Sequence, residues 1–430
     1  MKKNSAFPSL PLFLLLLTLC ASSAQARVKL ITLPPRERVE IQLENEAATL
    51  VEEERIVPLI ATPAGAEPNQ IDFSWANTKI DPDSIVFRVI GPADAADGGD
   101  AAQNAGLEAR VLSVSYPPGE DSLVWQVAAS RSGSARVRIS YILGNLGKSF
   151  NYRAVASADE TTLDLAQYIR LRNAANEEFL SNFAPGEGAD LWAGWGREFS
   201  RPVGLNETKE MLALKAEKVP VRKSFTADAA AIGYIDRPKN KLRVESGYVI
   251  ENTAASKLGA SPLPAGKARI FIAPKDPAAP GASAAFLGED WGKFTPIGDE
   301  LELSLGTAQD IAVVRIIEKT ENIRIAGNLY DRVVIVKYEI ENFKDMSATL
   351  DIREDIDRLR AEVFGRPSPK LGAIPSVQWE LLPETDLGAP DAKKSRFDSV
   401  LFRVDLPAKS DDGKAEKTVK RLALKLKNEW

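Results

Sequence analysis

Short runs of alternating polar and apolar residues, separated by turns rich in Pro and Gly, predict an all-β protein. The expected architecture is two to three tandem β-sandwich domains, the last immunoglobulin-like. Three observations carry this reading. From Ile311 onward, alternating runs at Ile311–Lys319, Arg332–Asn342, Ser347–Ile356, Val377–Leu382, Ser399–Leu406 and Thr418–Lys427 follow one another across turn-rich gaps. Short strands at that spacing suit an immunoglobulin-like sandwich. The stretch Leu258–Asp310 reads as a ribbon of strands and tight turns: Pro262-Leu263-Pro264-Ala265-Gly266 stops any helix, and Ala268, Ile270 and Ile272 then alternate with Arg269 and Phe271. No fixed-period repeat or coiled-coil heptad competes with these signals.

Taken in order, the chain opens with Lys2 and Lys3, the apolar run Leu10–Leu19, and the small-x-small pattern Ala24-Gln25-Ala26. This predicts a secretory signal over residues 1–26, removed on export, and a periplasmic or secreted mature chain beginning at Arg27. Lipoprotein anchoring through Cys20 wants a small residue before the cysteine, and Leu19 stands there, so anchoring is not expected. No later stretch supplies the ~20 apolar residues of a membrane-spanning helix. No transmembrane segment is therefore expected after Arg27.

Residues 27–148 read as an N-terminal β domain. Val39, Ile41 and Leu43 alternate with charged residues, Ile71–Trp75 is extended, and strands follow at Ser84–Ile90, Glu108–Ser115, Ser122–Ala128 and Ala135–Leu143. The Asp-, Ala- and Gly-rich stretch Gly91–Gly106 reads as a loop with nothing to bury. A central β domain is expected over 149–310 and the C-terminal sandwich over 311–430. Within the central part, Asp164–Asn182 suits a helix by length and composition, yet Gln167–Arg172 alternates, so both readings stand. Glu210–Arg222 is patterned as a strand, and Asp355–Phe364 as a helix before the Arg366–Pro369 break.

Two absences bound the chemistry. The 430-residue chain has no histidine, and its one cysteine, Cys20, lies in the expected signal. Ser-His-Asp triads, Cys-His pairs, histidine bases and His-bearing zinc sites are thereby excluded. No disulfide can stabilise the mature chain, although its expected compartment would preserve one. The formal net charge of −5 becomes more negative by two once Lys2 and Lys3 leave, and no basic stripe points to nucleic acid. No nucleophile-elbow or cofactor motif occurs: G-x-S-x-G, G-x-G-x-x-G and the phosphate-cradling loop are all missing. With no imidazole, stability and partner binding should be nearly flat from about pH 6.5 to about 8.

Several motifs together resemble a known family. They are Glu207-Thr208-Lys209 followed by Leu212 and Leu214, Pro262–Lys267 with Arg269, Phe286-Leu287-Gly288-Glu289-Asp290, Thr295-Pro296, Leu305-Gly306, and Glu341-Asn342 ending a long strand. In order and spacing they resemble the bacterial family catalogued as domain of unknown function 4139, which includes the mucoidy-inhibitor-like proteins. The similarity covers roughly Tyr152–Trp430, with weaker similarity from Arg27 to Gly91. Two features depart from the family pattern. The short Asn145–Phe150 junction leaves no room for the coiled coil many relatives carry, and Phe294 stands where relatives often have a His. The resemblance implies a secreted all-β protein with no established activity, and the family name hints at envelope polysaccharide.

Candidate site residues follow from chemistry that needs neither His nor Cys. Glu289 and Asp290, with Asp299 and Glu300 further on, form the best carboxylate cluster, and paired carboxylates can hydrolyse a sugar bond. Turn chemistry explains the same residues without catalysis, and it is the preferred reading. Trp291 beside this cluster, and Trp192 and Trp195 in the Gly-rich stretch Gly186–Gly196, could contact a ligand or plug a sandwich end. The acidic stretch with Asp94, Asp97 and Asp100, and the pair Asp81 and Asp83, lack calcium-loop spacing and read as solvated turns. The sequence thus predicts a non-catalytic binding or scaffolding protein of the envelope, without metal or cofactor. Its expected partner is another envelope protein, with a polysaccharide second. The competing reading is a carboxylate-dependent glycan hydrolase using Glu289, Asp290 or Glu300.

Overall fold

The computed structural model describes residues 34, 36–43, 48–75, 78–93, 106–175, 178–179, 190–194, 197–200, 202–364, 377–410 and 413–429, and among these described residues it has twenty-five strands and one α-helix. The protein is all-β and folds into several sheets that pack as sandwiches. The chain divides into two compact units. Of the described residues, one unit holds those up to Glu40 and those of Leu50–Leu143, and the other holds those of Ile41–Thr49, those from Gly144 to Phe179 and those from Asp190 onward.

In the first unit, β1 (Arg36–Gln42), β2 (Leu50–Leu59), β4 (Val86–Pro92) and β7 (Gly133–Ile142) lie in the order β1-β2-β7-β4. Opposite them, β3 (Asn69–Ser74), β5 (Ala109–Ser115) and β6 (Ser122–Ala129) form β3-β6-β5. Aromatic residues join the two sheets: Phe73 of β3 meets Tyr141 of β7 at 5.6 Å between ring centres, and Trp125 of β6 meets Phe87 of β4 at 4.6 Å. Val39, Ile41 and Leu43 are fully buried, as their alternation requires.

The second unit begins with β8 (Leu146–Ala156) and β9 (Thr162–Asn173), where alternation prevails over helical composition. Leu163, Leu165, Ile169 and Leu171 are buried, while Asp164, Arg170 and Arg172 face solvent. A hairpin of β10 (Asp190–Gly194) and β11 (Arg197–Ser200) follows, then β12 (Thr208–Pro220). Strands β8, β9 and β12 join β17 (Gly266–Ile272) and β18 (Ala285–Gly292) in the sheet β12-β9-β8-β17-β18.

Two larger sheets complete this unit. One is β19-β16-β13-β22-β24, from β13 (Arg222–Asp228), β16 (Val244–Glu251), β19 (Glu300–Thr307), β22 (Ala348–Asp355) and β24 (Ser399–Leu406). The other is β14-β15-β20-β21-β25-β23, from β14 (Tyr234–Asp236), β15 (Lys241–Leu242), β20 (Ile311–Ala326), β21 (Leu329–Asn342), β23 (Gln378–Leu381) and β25 (Lys417–Glu429). Phe225, Val244, Leu350 and Phe402 of the first pack against Val313, Val334, Tyr338 and Leu424 of the second in one buried cluster. The expected helix is present as α1 (Ile356–Phe364), with Ile356 and Leu359 turned into that cluster.

This shared cluster corrects the expected domain boundary between 310 and 311. Strands β13 and β16 belong to the same sandwich as β20–β25, and β13 pairs in parallel with β22 across more than a hundred residues of sequence. Alternation shows which face of a strand is buried, but it does not say which distant strand supplies the neighbour. The final sandwich is therefore larger than 311–430 alone.

Candidate functional site

The sheet β19-β16-β13-β22-β24 has one oily face and one polar face. Phe225, Ala227 and Val244 fill the core, so the residues between them must face the other way. On that side Thr226 is in register with Glu245 and Asp351, while Ser224 is in register with Gly247, itself opposite Ser304. Asp290 and Trp291 of edge strand β18 and the residues after it, Lys293–Thr295, border this face and complete a cleft of about 440 Å³.

Asp290, Trp291, Asp299 and Glu300 line the cleft, as does Phe294, but Glu289 does not. Alternation turns Glu289 away from Asp290, while Trp291, in register with Lys267 on the Glu289 side of β18, borders the cleft at its rim. Glu289 stands on the solvent face of its own sheet, 2.7 Å from Lys267 Nζ and 3.2 Å from Arg269 Nε. The hydrogen bond from Lys267, and with it that from Arg269, holds its carboxyl below the ordinary carboxylate value. Asp290 Oδ2 accepts the Ser304 backbone N–H at 2.6 Å, which ties β18 to β19. Asp299 Oδ1 accepts the Glu300 N–H at 2.8 Å, a turn contact. Glu300 receives Lys394 Nζ at 2.7 Å and lies 3.7 Å from Arg222.

Other groups in the cleft were not singled out from sequence. Lys394 Nζ also reaches Glu302 at 3.2 Å. Burial opposes its charge, and the hydrogen bonds to Glu300 and Glu302 outweigh that, raising its pKa. Asp351 accepts Arg403 Nε at 3.0 Å, and Glu245 accepts the Ser304 hydroxyl. Arg222, Ser224 and Thr226 did offer a signal, three polar residues spaced by two on one strand. Lys394 offered none, because it comes from a loop 94 and 92 residues beyond its partners Glu300 and Glu302.

Trp195, Asp94, Asp97 and Asp100 lie outside the described residues, and Trp192 is placed only by its backbone in β10, which pairs with β11. Asp81 Oδ1 accepts the Asp83 N–H at 3.2 Å and caps the short turn Pro82–Ser84, a structural use. Among the described residues no group of three or more carboxylates is placed to hold a metal ion.

Further motif residues serve the backbone. A Cβ on Gly266 would sit 2.4 Å from the Phe150 carbonyl oxygen, so only glycine fits where β17 runs beside β8. Tyr152 donates to the Pro264 carbonyl at 2.6 Å. Leu263 and Thr295 exchange backbone hydrogen bonds at 2.8 and 2.9 Å. Buried Asn252 holds the same corner, its amide donating to the Ser261, Thr295 and Pro296 carbonyls. Asn342 likewise donates to Met346 and Pro407.

A second cavity, about 510 Å³, lies beside α1 and contains Arg315. This guanidinium is buried and bidentate to Glu354, at 3.0 and 2.6 Å, and its remaining Nη1 donates to Tyr234 and Glu362 at 3.0 and 2.9 Å. Tyr338 donates to the same Glu354. Burial opposes the charge on Arg315, and the adjacent Glu354 carboxylate more than reverses that, so the guanidinium stays charged. Burial pushes the Tyr338 phenol well above its ordinary value. These groups satisfy one another, which marks a structural clamp between β20, β22 and α1.

No protein-family model matches this chain, and no curated protein matches it. Among the described residues, no helix is long and apolar enough to cross a membrane.

Proposed function

We propose that the chain is an exported, non-catalytic binding or scaffolding protein of the cell envelope, a short form related to the family its motifs resemble. The observation supporting this is the fate of the carboxylates. Hydrolysis of a sugar bond needs one carboxyl that keeps its proton and a second that is free to attack or to activate water. Glu289 is held ionised by Lys267 and Arg269 and faces away from the cleft. Asp290 and Asp299 are engaged by backbone N–H groups, and Glu300 by Lys394. Groups fixed in this way suit recognition. Another envelope protein is the partner expected from the sequence. Exposed Trp291 and Phe294 beside the polar cleft favour a polysaccharide as the second reading.

The test is turnover. Chain purified from residue 27 onward, incubated with cell-wall and capsule polymers, should release no new reducing ends. Release by the wild type that disappears in Asp290→Asn or Glu300→Gln would overturn the reading.

A further inference from the structure

Resting on the non-catalytic reading of the same cleft, we infer that it binds an uncharged oligosaccharide, held by hydroxyl contacts on the floor and stacked at the side on Trp291. Three features of the cleft lead there. The first is its supply of polar groups. Lys394 is shared between Glu300 and Glu302, and Arg403 is paired with Asp351, so donors and acceptors stand next to one another in fixed pairs. A sugar hydroxyl donates and accepts at once, and it matches such a pair as a bare cation or anion does not. Each paired carboxylate still has lone pairs to spare. Ser224 and Thr226 add hydroxyls whose oxygens make no hydrogen bond to the described residues.

The second feature is apolar. Trp291 and Phe294 line the same cleft and are 59% and 50% exposed. Large aromatic rings left open to water beside a polar floor offer flat surface to the C–H face of a pyranose, and stacking there buries area without requiring charge. The cleft volume of about 440 Å³ falls within the range of small-ligand sites.

The third feature is charge. Six carboxylates and three cations line the cleft. This excess repels uronate, phosphate and nucleic-acid polymers at close range. A basic peptide would meet Asp290 and Asp299 bonded to backbone, Glu245 bonded to the Ser304 hydroxyl, and Glu300, Glu302 and Asp351 already paired, so reaching the last three would displace Lys394 or Arg403. An uncharged sugar displaces only water.

The experiment is a calorimetric titration of the chain from residue 27 onward with neutral hexasaccharides of glucose, galactose, mannose and N-acetylglucosamine, beside a hexauronate and hexalysine. At least one neutral hexasaccharide should bind with a Kd below about 1 mM. Trp291→Ala should weaken it at least tenfold, and Thr226→Val should weaken it several-fold. Circular dichroism should show both variants folded. No binding by any neutral hexasaccharide, or binding unchanged in Trp291→Ala, overturns the assignment while leaving the non-catalytic reading intact. Binding by hexalysine or hexauronate alone also overturns it. Binding followed by cleavage would instead overturn the non-catalytic reading and keep the ligand class.

Discussion

Two cavities of the second unit, the cleft and the one around Arg315, use the same side chains in opposite ways. Around Arg315, charges are buried and spend their hydrogen bonds on one another: Glu354 takes both prongs of the guanidinium and Tyr338 besides. In the cleft the ion pairs are half open to water, the Ser224 and Thr226 hydroxyls make no hydrogen bond to the described residues, and aromatic rings stand exposed beside them. A buried pair is costly to break because the survivor is left charged in a poor solvent, whereas an exposed pair contributes little to stability. Charge density alone therefore does not mark a functional site. What separates them is how much hydrogen-bonding capacity is left for a ligand.

The sharpest way to break this contrast is to remove one member of the buried set. Arg315→Met should destabilise the second unit by about 3 to 5 kcal/mol, because Glu354 and Glu362 lose their partner. In thermal unfolding this amounts to a fall of roughly 10 °C. The double variant Arg315→Met with Glu354→Leu should recover most of the loss, and equal instability of single and double variants would refute the clamp. Gly266→Ala comes next, at about 1 to 3 kcal/mol by denaturant titration, since the new methyl meets the Phe150 carbonyl.

Acid should act through Glu160. Burial opposes ionisation of its carboxyl, but hydrogen bonds from Lys223 and Tyr248 outweigh that and hold its pKa below the ordinary 4.5. Stability from this contact is present above that ordinary value and is lost as pH falls through the lower folded one. Asp357 has the opposite sign. Burial, with Asp355 and Asp398 nearby, raises its pKa, so its ionised form costs stability at neutral pH and the cost disappears on acidification. Asp357→Asn should thus stabilise at neutral pH by no more than about 0.3 kcal/mol, since solvent screens the group. From about pH 6.5 to about 8 the unfolding midpoint should stay flat, because no imidazole exists to titrate. The smallest effect belongs to the cleft. Trp291→Ala should leave stability within about 0.5 kcal/mol of the wild type, and a larger loss would show that Trp291 is part of the packing.

Local features are legible in the sequence and distant pairings are not. Period-two alternation by itself marks the buried faces of β1, β17 and β19, and the Pro and Gly turns near them are equally plain. The parallel pairing of β13 with β22 leaves no mark, because a strand's pattern reports which face is covered and not by whom. The site is half legible for the same reason. Asp290, Trp291, Asp299 and Glu300 are close in sequence and share the cleft, whereas Glu289 parts from Asp290 by strand alternation alone. Lys394 and Asp351 enter by folding from two distant segments, and nothing in their own neighbourhoods announces it.

The central claim is that the cleft holds a ligand without transforming it, and one proton NMR time course addresses both halves. A neutral hexasaccharide mixed with the chain from residue 27 onward should show broadened resonances that recover sharpness with Trp291→Ala, and no new anomeric signals over a day. New anomeric signals that vanish with Glu300→Gln would contradict the claim.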